Sequence, residues 1–187
     1  MNYISYVQHV EAILKNAAPP PPYDNPDYLE YARLNYSRMK RWMKTGILNT
    51  RLVDHLQGLH QPQHWIMIVE PWCGDVAPTL PFVIRLVEKA PLVTYDLQLR
   101  DREPFLINQY LTGTSKSIPK LIVRNNSGSD VAVWGPRPAG AQALMDELKK
   151  EGADFERTKT ELQAWYNQDK GISLQTELLQ LLQNASS

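Results

Sequence analysis

The run HWIMIVE, residues 64–70, constrains the fold of this chain more than any other feature. Successive side chains of a strand point to opposite sides, so a near-continuous apolar run of this length predicts a central strand covered on both faces. LVTYDLQL at 92–99 and PKLIVR at 119–124 have the same texture, and DVAVW at 130–134 follows the polar turn NNSGS. Helical stretches are predicted at 75–90 and 103–111, between the first three strands. A mixed sheet ending in a hairpin, with helices packed on it, satisfies the order strand, helix, strand, helix, strand, strand.

Helical patterns flank this core on both sides. Tyr3, Val7, Val10 and Leu14 predict a helix over 3–16. It must end before AAPPPP at 17–22, since proline lacks the N–H and clashes with the preceding turn. That run reads as a stiff extended connector in preference to a ligand for proline-binding modules. NPDYLEYARLNYSRMKRWMKT at 25–45 predicts a long helix, with Asn25 as its cap, Pro26 at its first position and Asp27 at the positive end of its dipole. Its apolar face is Tyr28, Ala32, Tyr36, Met39 and Met43, and its basic residues gather toward the C-terminal half as a solvated face. A short helix is expected at 49–59. In the tail, Ala141, Leu144, Met145 and Leu148 line one helical segment, Phe155, Thr158, Leu162 and Trp165 a second, and Leu174, Leu178, Leu181 and Leu182 a third. Gly152 and Gly171 fall where those helices end.

Composition excludes several classes of function. Twenty basic and twenty acidic side chains cancel, so no global field draws the chain to nucleic acid or anionic lipid. No apolar run approaches the roughly 20 residues that span a bilayer. A single cysteine cannot form an internal disulfide, and the N-terminus lacks the order of a signal peptide, so the expected compartment is the cytoplasm. His60 and His64 have a metal-ligand spacing that Pro62 disrupts, and GTSKS at 113–117 lacks the second glycine of a phosphate loop. No metal and no cofactor is expected.

Chemistry therefore centres on PWCGDVAPTLP, residues 71–81, which holds the one cysteine. An apolar strand running into this segment and then a helix places Cys73 at a helix N-terminus, where backbone N–H groups favour a thiolate. Asp75 opposes that effect through its charge. The direction of the net shift stays open at this level, and a lone cysteine is also a common inert core residue.

WCGD, with Pro81 eight positions after the cysteine, resembles the thioredoxin active-site helix, W-C-G-P-C in its familiar form. SIPKLIV at 117–123 resembles the thioredoxin segment in which a cis-proline precedes a central strand, with Pro119 46 residues after Cys73. WGPRP at 134–138 supplies Gly135 after the last hairpin strand, and together with LNYSRMKRWMKT and WYNQDKG these segments are similar to a bacterial branch of thioredoxin-like proteins with helical extensions. The resemblance implies an α/β thioredoxin-like fold, a central mixed sheet flanked by helices. It divides the chain into an N-terminal helical extension at 1–59, a core at 60–138 and a C-terminal helical extension at 139–187. It implies Cys73 as the catalytic thiol, with Trp72, Gly74, Asp75, Ile118 and Pro119 shaping the site and its docking edge.

The chain departs from the family pattern at two positions. Val76 stands where the resolving cysteine would be, so a self-contained dithiol cycle is excluded. Met67 occupies the position of the buried aspartate that assists proton transfer, and the neighbouring Glu70 is the substitute to weigh. Two readings stay open. The first is a monothiol thiol–disulfide oxidoreductase that exchanges with a low-molecular-weight thiol or a protein disulfide partner. The second is a non-catalytic thioredoxin-fold binding or scaffold module. Neither involves nucleic acid or membrane.

Overall fold

A computed structural model of the chain describes residues 1–185. Helices α1 (Tyr3–Lys15), α2 (Pro26–Thr45) and α3 (Thr50–Gln57) precede the sheet. Then come β1 (Gln63–Val69), α4 (Val76–Val87), β2 (Val93–Leu99), β3 (Lys120–Asn125) and β4 (Asp130–Trp134). Helices α5 (Ala139–Lys150), α6 (Phe155–Asp169) and α7 (Ile172–Ala185) close the chain.

The four strands order as β2-β1-β3-β4. β1 runs parallel to β2 and antiparallel to β3, and β3 and β4 form the antiparallel hairpin. This is the mixed sheet flanked by helices that the strand and helix order predicts. Five consecutive β1 residues, Trp65 to Val69, are buried, so both faces of the central strand are covered. The same continuous core takes in Tyr6 and Val10 of α1, Met39 and Trp42 of α2, Leu52 and Leu56 of α3, and Leu174 and Leu178 of α7. The helical additions are therefore packed into the core with the sheet.

The sequence signals at helix ends hold at several places. Asn25 Oδ1 accepts from the Asp27 N–H at 2.8 Å, and Gly152 and Gly171 adopt φ values of +69° and +78°. Three expectations are corrected. The stretch 103–111 is not a helix; it contains only a 3-10 turn, Leu106–Gln109. Pro104 removes a donor there, and Phe105 sits in the left-handed region at φ 52°, which a continuing helix forbids. The apolar faces of the first two helices are rotated. α1 buries Tyr6, Val10 and Ile13, with Tyr3, Val7 and Leu14 only partly covered. α2 buries Ala32, Asn35, Met39 and Trp42 and leaves Tyr28 exposed. The proline run does not stay extended to its end. It turns so that the Tyr23 N–H meets the Pro20 carbonyl at 2.9 Å, and this sinks Tyr23 against Ile13 and Ala32.

Candidate functional site

β1 ends at Val69, and the chain turns through Glu70–Asp75 before α4. The Cys73 N–H donates to the Glu70 carbonyl at 3.1 Å, and the Val76 N–H donates to the Cys73 carbonyl at 3.3 Å. Cys73 therefore sits in a tight turn just outside the helix. Its thiol is buried, with 7% of the residue exposed, and Sγ donates to the Ile118 carbonyl at 3.4 Å. Burial, and then the nearby Asp75 charge, push the thiol up to about 12, against the backbone N–H groups and Arg137. Desolvation outweighs the helix end here. At neutral pH the group is a thiol.

Asp75 occupies the cap position of α4 without making a side-chain cap. Its carboxylate instead accepts from the Tyr166 hydroxyl at 2.9 Å and pairs with Arg137 at 2.7 Å. Burial holds this carboxyl above the ordinary range, with Arg137 and Tyr166 opposing. Gly74 offers its carbonyl to Gln163 Nε2 at 3.0 Å. Two residues of α6, Gln163 and Tyr166, thus pin the Cys73 loop from outside the sheet.

The remaining predicted site residues gather around the same point. Trp72 is half-buried, with the Tyr28 ring edge-on at 5.9 Å and the Arg100 guanidinium 4.6 Å above its face. Ile118 and Pro119 are buried, and the peptide joining them is cis. Lys120, on the same segment, is buried with its ammonium turned to the Gly135 carbonyl at 3.1 Å, so it does not present a charge to the thiol. Val76 and Met67 fill core space at 2% and 1% exposure.

Glu70 is buried and does not face solvent. Its Oε1 accepts from the Asp101 N–H at 3.1 Å, and burial raises its carboxyl to about 7. The acid is therefore engaged with the backbone of the segment after β2.

Beside this turn opens a cleft of about 610 Å³. Its floor is Trp72–Asp75 and Ile118, one wall is α2 through Tyr28, Tyr31, Asn35 and Arg38, and another is α6 through Phe155, Lys159 and Gln163. Sequence reasoning missed Asn35, Arg38, Gln163, Tyr166 and Arg137. One signal was available: at the 32, 35, 39, 42 spacing, Asn35 is a polar residue in a buried face. Its Nδ2 donates to the Pro71 carbonyl at 3.1 Å, joining α2 to the Cys73 loop. Elsewhere, His64 meets Thr94 Oγ1 at 2.8 Å, and no group of residues able to hold a metal occurs among the described residues. None of the described helices is long and apolar enough to cross a membrane.

Comparison with known proteins agrees with this architecture. A solved structure of a protein of unknown function from Pseudomonas aeruginosa superposes with a TM-score of 0.59 at 14% identity, covering 98% of this chain and 92% of that one. An HIV epitope-scaffold matches equally well, at TM-score 0.59 and 15% identity over the same shares. At such identities the likeness shows the fold alone. No curated protein matches the sequence. A thioredoxin family model matches residues 23–149, more than half of the chain, and spans the central sheet, the Cys73 turn and the Ile118–Pro119 loop. This chain belongs to the thioredoxin family.

Proposed function

We propose that this protein is a non-catalytic ligand-binding module on a thioredoxin fold. In this reading residues 60–138 form the core, and the helical additions at 1–59 and 139–187 wall a cleft over Cys73. One observation carries the reading: the thiol beside an open 610 Å³ cleft is itself covered, hydrogen-bonded to Ile118 and raised to about 12. Raised that far by burial, the group is a thiol at neutral pH, and only the thiolate attacks a disulfide. Val76 supplies no resolving thiol, and Glu70 Oε1 is engaged with the Asp101 N–H.

The monothiol reading is the outcome that would displace this one. It requires Cys73–SH plus glutathione disulfide to give Cys73–S–SG plus glutathione. Intact-mass analysis of the folded protein after incubation with excess glutathione disulfide tests it. The binding-module reading expects no adduct on the folded chain and an adduct once urea unfolds it. A stoichiometric Cys73 adduct on the folded protein would establish the monothiol reading in its place.

A further inference from the structure

The cleft over Cys73 draws cations from five separate segments: Arg38 of α2, Arg100 after β2, Lys116 before β3, Arg137 after β4 and Lys159 of α6. Its lining carries two carboxylates, Asp27 and Asp75, and Asp75 is already held by Arg137. The chain as a whole has no net charge, so this is a local concentration of positive charge. Arg100 pairs with Asp101 and Lys159 with Glu156. Arg38 and Lys116 make no ion pair among the described residues.

Arg38 is the more telling of the two. It is half-buried, and its guanidinium donates at 3.0 Å to Asn35 Oδ1, a neutral acceptor. Asn35 is itself buried and fixed by its bond to the Pro71 carbonyl. The guanidinium is thus held in place with its charge uncompensated, and burial together with Arg41 lowers its pKa. An anion entering the cleft would relieve that cost with a charge-assisted hydrogen bond.

The rest of the lining sets the size and shape of the occupant. Trp72, Tyr31 and Phe155 contribute aromatic surface to the lining, and Lys159 lies 4.8 Å above the Tyr31 ring. The bonds from Gln163 and Tyr166 hold α6 across the Cys73 loop, which makes a walled cleft of the loop's outer side. The Ile118 carbonyl accepts from the Cys73 thiol at the floor of this cleft. A volume of about 610 Å³ lies within the range of small-molecule sites.

We propose that this cleft binds a small organic anion, a flat apolar body bearing a carboxylate or phosphate-like group, with Arg38 and Lys116 receiving the anionic end and Trp72, Tyr31 and Phe155 the body. The proposal rests on the binding-module reading. Two fluorescent probes of nearly the same body test it: 8-anilino-1-naphthalenesulfonate, which is anionic, and N-phenyl-1-naphthylamine, which is neutral. The anionic probe is expected to saturate a single site at least about tenfold more tightly than the neutral one, with the advantage shrinking as salt is raised. Combining Arg38→Gln with Lys116→Gln is expected to weaken the anionic probe about tenfold and leave the neutral probe unchanged. Lys149→Gln, exposed on α5 and outside the cleft, is expected to change neither. Displacement by phenyl phosphate or by benzoate then assigns the anionic group.

Equal affinity for the two probes in the unmodified protein, or failure of the anionic probe to saturate, overturns the proposal whatever the variants do. Unchanged affinity of the anionic probe in the double variant overturns it as well. Saturable binding of the neutral probe at equal strength would remove the anion while leaving the binding module standing. The glutathione adduct experiment decides the module separately.

Discussion

Arg137 pairs with Asp75 at 2.7 Å and so ties the turn after β4 to the start of α4, two residues beyond Cys73. The side chains are 18% and 9% exposed, so neither charge is well solvated. Removing one member of such a pair strands the other. Arg137→Met should cost about 3 kcal/mol in urea unfolding at neutral pH. Adding Asp75→Asn, which keeps an acceptor for Tyr166, should recover part of that loss. A single-variant cost under about 1 kcal/mol would mean that water screens the pair.

Glu70 makes the fold sensitive to pH in a direction opposite to most carboxylates. Its folded value, about 7, lies above the ordinary 4.5, so the folded state holds its proton longer than the unfolded chain does. The contribution is full below about pH 4.5 and is lost as pH rises to about 7, beyond which it is constant. A shift of this size corresponds to about 3 kcal/mol. Glu70→Gln, which retains an oxygen for the Asp101 N–H, should therefore stabilise the protein at pH 8 and have little effect at pH 4.5. Urea titrations at the two pH values check this. Equal effects at both would show that the carboxyl is not held above its ordinary range.

Gly135 is required where β4 leaves the sheet. Its φ is +116°, and a Cβ there would stand 2.2 Å from the Pro119 carbonyl oxygen. Gly135→Ala should destabilise the fold by about 3 kcal/mol or more, combining backbone strain with a contact that only a backbone shift can relieve. It should also displace Ile118, exposing Cys73 to alkylation in the folded state. A near-neutral urea midpoint with an unreactive thiol would contradict that coupling.

The sheet was legible in the sequence because its information is local. HWIMIVE needs no context to be a doubly covered strand, and Asn25-Pro26-Asp27 marks a helix start in three residues. The rotated face of α2 was not legible, because apolar spacing alone does not show that Asn35 goes inward to meet the Pro71 carbonyl. Residues 103–111 failed for a related reason: a helical composition does not survive Pro104 followed by a left-handed Phe105. At the site, the cysteine and its turn were readable, but the cleft was not. Its walls come from α2 and α6, whose approach depends on long-range bonds such as Tyr166 to Asp75. The direction of the Cys73 shift likewise rests on burial in the folded chain, whereas the sequence displays only two opposing local effects, the helix end and Asp75.

The pH dependence of iodoacetamide alkylation at Cys73 tests the central claim most directly. A covered thiol raised to about 12 predicts no inflection in the rate below about pH 10. It also predicts a folded-state rate at pH 8 at least about a hundredfold below that of the urea-unfolded chain, whose thiol titrates near the free value of about 8.5. An inflection at or below about 8.5 in the folded protein, with a rate approaching the unfolded one, would contradict the account and make Cys73 a working nucleophile.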